Sequence, residues 1–258
     1  MFDNTLVPWY NAGMSGYCHT REYALRYSDF DFKDELRLSS LLALTQEAAC
    51  TSADELGFGY ADLKPKNYGF IIVNTYCEFL SPVRLGDRLI VETWPLPPRH
   101  VIFERDYRVK NGQGEVIANI ASRWCLVDLK SFALLSPDAI SEAHSRCPYR
   151  AEKTVEVPSW KIPKLGEESA EAYRMTVKNS RCDHYFHANN ANYADFFLDA
   201  FTMDELAARK IRAFQIAYAK QAKENAELTF FCKETEDGAI LEARSEGEVL
   251  TQMRLWYA

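Results

Sequence analysis

The sequence predicts an α+β fold built from two units of one plan, each a long helix lying against an antiparallel sheet. Three observations predict it. A helical stripe of apolar and small residues is followed by extended segments joined by turn signals, the same order recurs in the second half, and a proline-bearing charged stretch separates the two. The chain has 258 residues and 47% apolar content, enough to bury a core of that size.

Residues 1–20 carry glycines, a proline and small polar residues, and read as an irregular arm. The first unit spans residues 21–141. Tyr23, Leu25 and Tyr27 alternate as in a half-buried strand, and the run from Asp29 to Asp34 makes a polar turn. Leu38, Leu41, Leu42, Thr45, Ala48, Ala49, Ser52 and Leu56 then form a stripe of helical period that Gly57 stops. So many small residues call for close packing against something flat. Extended segments follow at 70–79, 88–93, 101–109 and 115–128. They are separated by Leu85-Gly86-Asp87, a corner at Pro95, Pro97 and Pro98, and Asn111-Gly112-Gln113-Gly114, signals that favour antiparallel hairpins.

Residues 142–171, with Pro148, Pro158 and Pro163 among charges, read as a linker long enough to cross a sheet. The second unit, 172–258, repeats the order. Tyr173, Met175 and Val177 alternate, a polar loop runs over 179–190, a helix is predicted from about Ala191 to Lys210, and strands lie near Arg212, Leu228, Ile240 and Val249. Setting Asp31 over Asp183 lays the helix from Leu41 to Ala49 over Tyr193 to Phe201, and Gly114-Glu115-Val116 echoes Gly247-Glu248-Val249. A duplication explains this economically. A long helix wrapped by a strongly curved antiparallel sheet is the hot-dog architecture, so the predicted fold is a tandem, or double, hot dog.

The formal net charge of −7 argues against a nucleic-acid partner. Seven cysteines, scattered and without a Cys-x-x-Cys pair, read as free thiols of a reducing cytosol rather than metal ligands. The first residues lack the basic start and apolar run of a signal peptide, and no stretch approaches about 18 uninterrupted apolar residues, so a cytoplasmic protein without a membrane partner is expected.

The segment from Arg181 to Tyr193 gathers acid, imidazole and amide side chains just before a helix. Unpaired N–H groups at a helix start can stabilise the oxyanion formed when a thioester carbonyl is attacked, and a neighbouring carboxylate or imidazole can activate water. The plainer reading is that Asp183 and Asn189 or Asn190 turn the loop and cap the helix. Cys182 next to His184 and His187 could suggest a thiol nucleophile, but an inert thiol is the simpler assignment.

The same segment resembles the Asp-x-Asn-x-His-x-Asn-Asn-x-x-Tyr motif that plant and bacterial fatty acyl carrier protein (ACP) thioesterases carry at the start of their second hot-dog helix. Asp183, His187, Asn189, Asn190 and Tyr193 match it. Gln46-Glu47-Ala48-Ala49, Leu56-Gly57, the stretch from Ser81 to Asp87, Thr93-Trp94 and Arg123-Trp124 look like further family features, in family order. The resemblance implies hydrolysis of a fatty acyl thioester to free acid and carrier thiol, with Asp183 and His187 catalytic and no cofactor or metal. Two positions depart from the pattern. Tyr185 stands where the family has its catalytic asparagine, and Gln221 stands where an acid is expected; neither can serve as that group does, and both are assigned hydrogen-bonding roles.

In the implied mechanism Asp183 orients or deprotonates water, His187 positions it or protonates the thiolate, and helix-start amides hold the oxyanion. Asn189 and Asn190 are assigned to substrate binding. Leu42, Phe70, Ile72 and Tyr76 are expected to wall the acyl tunnel, which the resemblance puts between helix and sheet of the first unit. The implied partner is acyl-ACP, with acyl-CoA an alternative. Docking an acidic carrier calls for basic residues, for which Arg181, Arg209, Lys210 and Arg212 are candidates. A non-catalytic acyl-thioester binding protein and a hot-dog dehydratase remain alternatives, and a homodimer is possible.

Overall fold

A computed structural model describes residues 16–166 and 169–258; most of the expected N-terminal arm, residues 1–15, lies outside the described residues. The first unit comprises β1 (His19–Ala24), α1 (Leu38–Glu55), α2 (Tyr60–Leu63), β2 (Tyr68–Phe79), β3 (Arg88–Pro95), β4 (Ile102–Asn111), β5 (Val116–Asp128), β6 (Leu134–Leu135) and α3 (Ser141–Arg146). The second comprises β7 (Ala170–Thr176), α4 (Asn192–Leu198), α5 (Met203–Ala207), β8 (Ile211–Tyr218), β9 (Glu227–Thr235), β10 (Gly238–Ser245) and β11 (Glu248–Tyr257).

All strands join one sheet in the order β1-β3-β4-β5-β2-β8-β11-β10-β9-β7, with β6 added on β5. The order reads the same from either end once β7 is matched to β1, β8 to β2 and so on. The two units meet at the β2–β8 pair, where Tyr76 opposite Gln215 is the middle of five paired positions. The tandem hot dog predicted from sequence is the fold observed.

The central helix α1 buries Leu38, Leu41, Leu42, Thr45, Ala48, Ala49 and Ser52, the predicted stripe, and Gly57 with φ +77° takes the left-handed turn past its end. The small residues let the helix approach the sheet closely. Leu38, Leu41 and Leu42 of the helix meet Leu89, Val91, Val109 and Ile120 of the sheet, which are fully buried in the same core.

The second helix differs from its prediction. Instead of one helix to Lys210, α4 ends at Leu198 and α5 restarts at Met203. Thr202 caps the restart, accepting from the Glu205 N–H at 3.3 Å, while the Glu205 carboxylate takes the Thr202 N–H at 2.7 Å. Thr202-Met203-Asp204-Glu205 is a capping-box signature inside what reads as a continuous helix.

The duplication extends to single hydrogen bonds. Leu36 N–H donates to the Val83 carbonyl and Ala188 to that of Ala222; Leu80 and Ser81 both donate to Ile117, as Ala219 and Lys220 both donate to Leu250. The linker crosses the outer face of the sheet in strand order. Glu152 receives Trp94 of β3, Thr154 binds Asp106 of β4, Trp160 receives Asn74 of β2, Pro163 receives Gln252 of β11, and Leu165 donates to Glu242 of β10. Ile162 and Leu165 pack there with Ile240. Among the described residues no helix is long and apolar enough to cross a membrane.

Candidate active site

Asp183 opens a tight turn. Its Oδ1 accepts the Tyr185 N–H at 2.9 Å, its own N–H donates to the His187 carbonyl, and Phe186 takes the left-handed conformation at φ 65°. The first unit contains the same turn. There Asp31 Oδ1 accepts from Lys33 N–H at 2.8 Å, its N–H donates to Glu35, and Asp34 has φ 57°. Asp183 therefore has a turn-building task that its twin performs too. What differs is the occupant of the matching position: Glu35 in the first unit is ion-paired to Lys33 and Arg84, each at 3.1 Å, whereas the second unit presents His187.

His187 Nδ1 lies 3.8 Å from Asp183 Oδ1, and both side chains are mostly buried. That gap is beyond a direct hydrogen bond but within ion-pair range. Burial holds the imidazole below its ordinary pKa, opposed by Asp183 and reinforced by Lys223 and His184. Lys223 sits opposite His187 in an isolated bridge that ties the turn to the loop after β8. The result is a neutral imidazole with a lone pair available and a carboxylate close enough to favour its cation once a proton arrives.

The turn reaches across to the other unit. The Tyr185 ring lies nearly parallel to His187 at 6.1 Å between centroids and meets Tyr60 of the first unit edge-on at 6.4 Å; His184 meets Tyr60 at 5.9 Å. His184 and Tyr185 thereby join the wall of a cavity of about 380 Å³ between the C-terminal half of α1 and the sheet of the first unit. Its lining is mainly apolar, with Phe58, Leu63, Phe70, Leu96 and Phe103 contributing. A separate void of about 10 Å³ along α1, sharing Gln46 and Trp124 with that lining, is bordered by Leu42 and Ile72, and by Asn190 from the second unit.

Of the residues singled out from sequence, Asp183, Tyr185 and His187 are brought together at one turn. Asn189 is used in the turn that leads into α4: its Oδ1 accepts the Ala191 N–H at 2.9 Å, and its N–H donates to the Arg181 carbonyl. The Asn192 N–H is likewise engaged, by the Asn189 carbonyl, and among the described residues from Ala188 to Tyr193 the Asn190 N–H is the amide for which no partner is seen. Phe70 lines the cavity, whereas Leu42 and Ile72 border the small separate void beside it. Tyr76 borders neither; its ring packs edge-on against Trp256 at 5.7 Å. A register shift between Ile72 and Asn74 reverses the alternation of β2, so that Thr75 rather than Tyr76 follows Ile72 into the interior. Gln221 is exposed on the loop after β8, beside the turn in backbone but pointing to solvent. The sequence reading missed Tyr60, whose place against Tyr185 no local pattern signals, and Arg105. Arg105 could have been found, because it occupies an inward position of a strand whose inward neighbours are Phe103 and Tyr107.

Residues 16–136 match the acyl-ACP thioesterase N-terminal domain, and residues 165–256 match the acyl-ACP thioesterase C-terminal domain. The chain belongs to the acyl-ACP thioesterase family. That is a family of thiolester hydrolases with two hot-dog domains. A palmitoyl-acyl carrier protein thioesterase of Gossypium hirsutum, a chloroplastic protein, is 22% identical over 216 residues; the match takes in 80% of this chain and 52% of that protein, so this chain spans about half the length of that thioesterase. Two solved acyl-ACP thioesterases share the fold. One, from Bacteroides thetaiotaomicron, is 23% identical with a TM-score of 0.84, covering 93% of this chain and 98% of that one. The 12:0-ACP thioesterase of Umbellularia californica is 17% identical with a TM-score of 0.85, covering 95% and 99%.

Proposed function

We propose that this acyl-ACP thioesterase family member hydrolyses a fatty acyl thioester carried by ACP, with the acyl chain in the cavity of the first unit and the chemistry at the turn of the second. The observation that carries the reading is the neutral, mostly buried His187 beside Asp183, stacked on Tyr185 where Tyr185 meets the cavity wall. In the proposed reaction His187 accepts a proton from water as the water oxygen bonds to the thioester carbonyl carbon. Asp183 holds the turn and stabilises the imidazolium, and the Asn190 N–H is available to the oxyanion. Collapse of the tetrahedral intermediate breaks the C–S bond, and the leaving thiolate takes its proton from His187. This shifts the base from Asp183, the sequence expectation, to His187, because Asp183 Oδ1 is already engaged in the turn.

ACP is the proposed carrier on family grounds. Of the basic residues considered, Arg209 is paired with Glu234 at 2.9 Å and packed on Phe201, so it is spent within the fold. Lys210 and Arg212 line a separate cleft of about 290 Å³ beside the Asp31 turn. Arg181, on the turn-bearing loop, is the better docking candidate. The proposed compartment is a reducing one, in keeping with seven free cysteines.

The test is thiol release from acyl-ACP and acyl-CoA substrates by wild type, His187→Ala and Asp183→Asn. His187→Ala should lower kcat by about 10²- to 10⁴-fold. Unchanged turnover would remove His187 from the chemistry, and tight acyl-thioester binding by a wild type that does not turn over would favour the binding-protein alternative, for which Tyr185 and the exposed Gln221 speak.

A further inference from the structure

We propose that the cavity of the first unit accepts an aliphatic chain bearing a carboxylate, received by the Arg105 guanidinium. The proposal rests on the reading of that cavity as the acyl site and names a chemistry it selects. Arg105 comes from the middle of β4, points inward between Phe103 and Tyr107, and forms part of the cavity wall while only 6% exposed.

Both of its hydrogen bonds leave from one nitrogen. Nη1 donates to Ser52 Oγ at 2.9 Å and to Thr93 Oγ1 at 3.2 Å. Among the described residues no carboxylate pairs with it, and Nε and Nη2 have no partner. The adjacent acids are committed elsewhere: Glu104 binds Arg123 at 2.7 Å, and Asp106 binds Thr154 of the linker. The ionisable groups that act on Arg105 are Tyr107, Tyr17, Cys147 and Cys50. Burial raises the pKa of all four, with Cys147 pushed to about 11 and Tyr107 to about 12, so none supplies negative charge at neutral pH.

A buried guanidinium without a counter-charge is a costly element of a fold. Here its unused donors border a cavity that is otherwise mainly apolar. A carboxylate matches the planar fork in shape and charge, and an alkyl chain suits the remaining wall. A carboxylate on such a chain has two sources: the free fatty acid, or the far end of an acyl thioester derived from a dicarboxylic acid.

Calorimetric binding of dodecanoate and methyl dodecanoate to wild type, Arg105→Lys and Arg105→Met tests this without any hydrolysis, so its outcome is independent of whether the protein turns over thioesters. Wild type should prefer the acid by about 10- to 100-fold. Arg105→Met should abolish the preference and Arg105→Lys keep part of it, with circular dichroism verifying the fold. Equal affinity of wild type for acid and ester overturns the proposal, as does a folded Arg105→Met that retains the preference. If Arg105→Met does not fold, the wild-type comparison alone decides. Competition by the pantetheine half-thioester of dodecanedioic acid against dodecanoyl-pantetheine then assigns the source. Tighter binding of the half-thioester marks a substrate class, and equal binding marks retention of the released acid.

Discussion

At the scale of single residues, the existence of Asp31 separates the turn-building task of Asp183 from the role proposed for it in the chemistry. Removing the turn acceptor should cost about 1 kcal/mol in either unit. Asp31→Ala should therefore lower the melting temperature without lowering turnover, and Asp183→Ala should lower both. Asp183→Asn keeps an acceptor for Tyr185 N–H and removes the charge, so it should melt near wild type yet turn over more slowly. His187 gives a pH signature. Its folded pKa lies below the ordinary imidazole value, so the neutral base persists as the pH falls past about 6.5, and the acid limb of kcat/KM should lie below that value. In the same range the unfolded chain takes up the proton first, so the fold loses stability as pH falls, a loss His187→Ala should remove. The residue pattern revealed the turn because aspartate is a turn former and one stands at the same place, Asp31 and Asp183, in both copies. It concealed Tyr76, because one extra residue in a strand reverses every side chain beyond it.

At the scale of elements, the strands and α1 were legible because their periods of 2 and 3.6 are imposed by burial on one face. The break between α4 and α5 was not, because the aromatic stripe from Tyr193 to Phe201 continues helical spacing up to the cap, and Thr202-Met203-Asp204-Glu205 is as compatible with a helix interior as with a restart. Thr202→Ala should cost about 1 kcal/mol in thermal or denaturant unfolding, the usual worth of such a cap; no measurable change would mean that α5 is held by packing alone. The contact of Tyr185 with Tyr60 could not be read from either unit alone, since it depends on how two curved sheets join at β2 and β8.

At the scale of the whole molecule, the linker binds the two units through buried groups, and one of them titrates. Asp106, nearly enclosed by burial and bonded to Thr154 N–H and Oγ1, is pushed up to about 6. A raised carboxyl favours the fold while protonated, so its contribution is complete below the ordinary aspartate value of 3.8 and is lost as pH rises through about 6. The stability of wild type relative to Asp106→Asn should fall by up to about 3 kcal/mol between about pH 4 and pH 7. A difference that does not vary with pH would show that Asp106 keeps its charge in the fold.

The joining of both units in one polypeptide has a further consequence. The proposed site draws the His187 turn from one unit and the Tyr60-bordered cavity from the other. In two separate chains such a site would exist only above the dissociation constant of the pair, and dilution would extinguish it. Here the encounter is intramolecular, so the site should assemble at a rate and to an extent that do not depend on protein concentration.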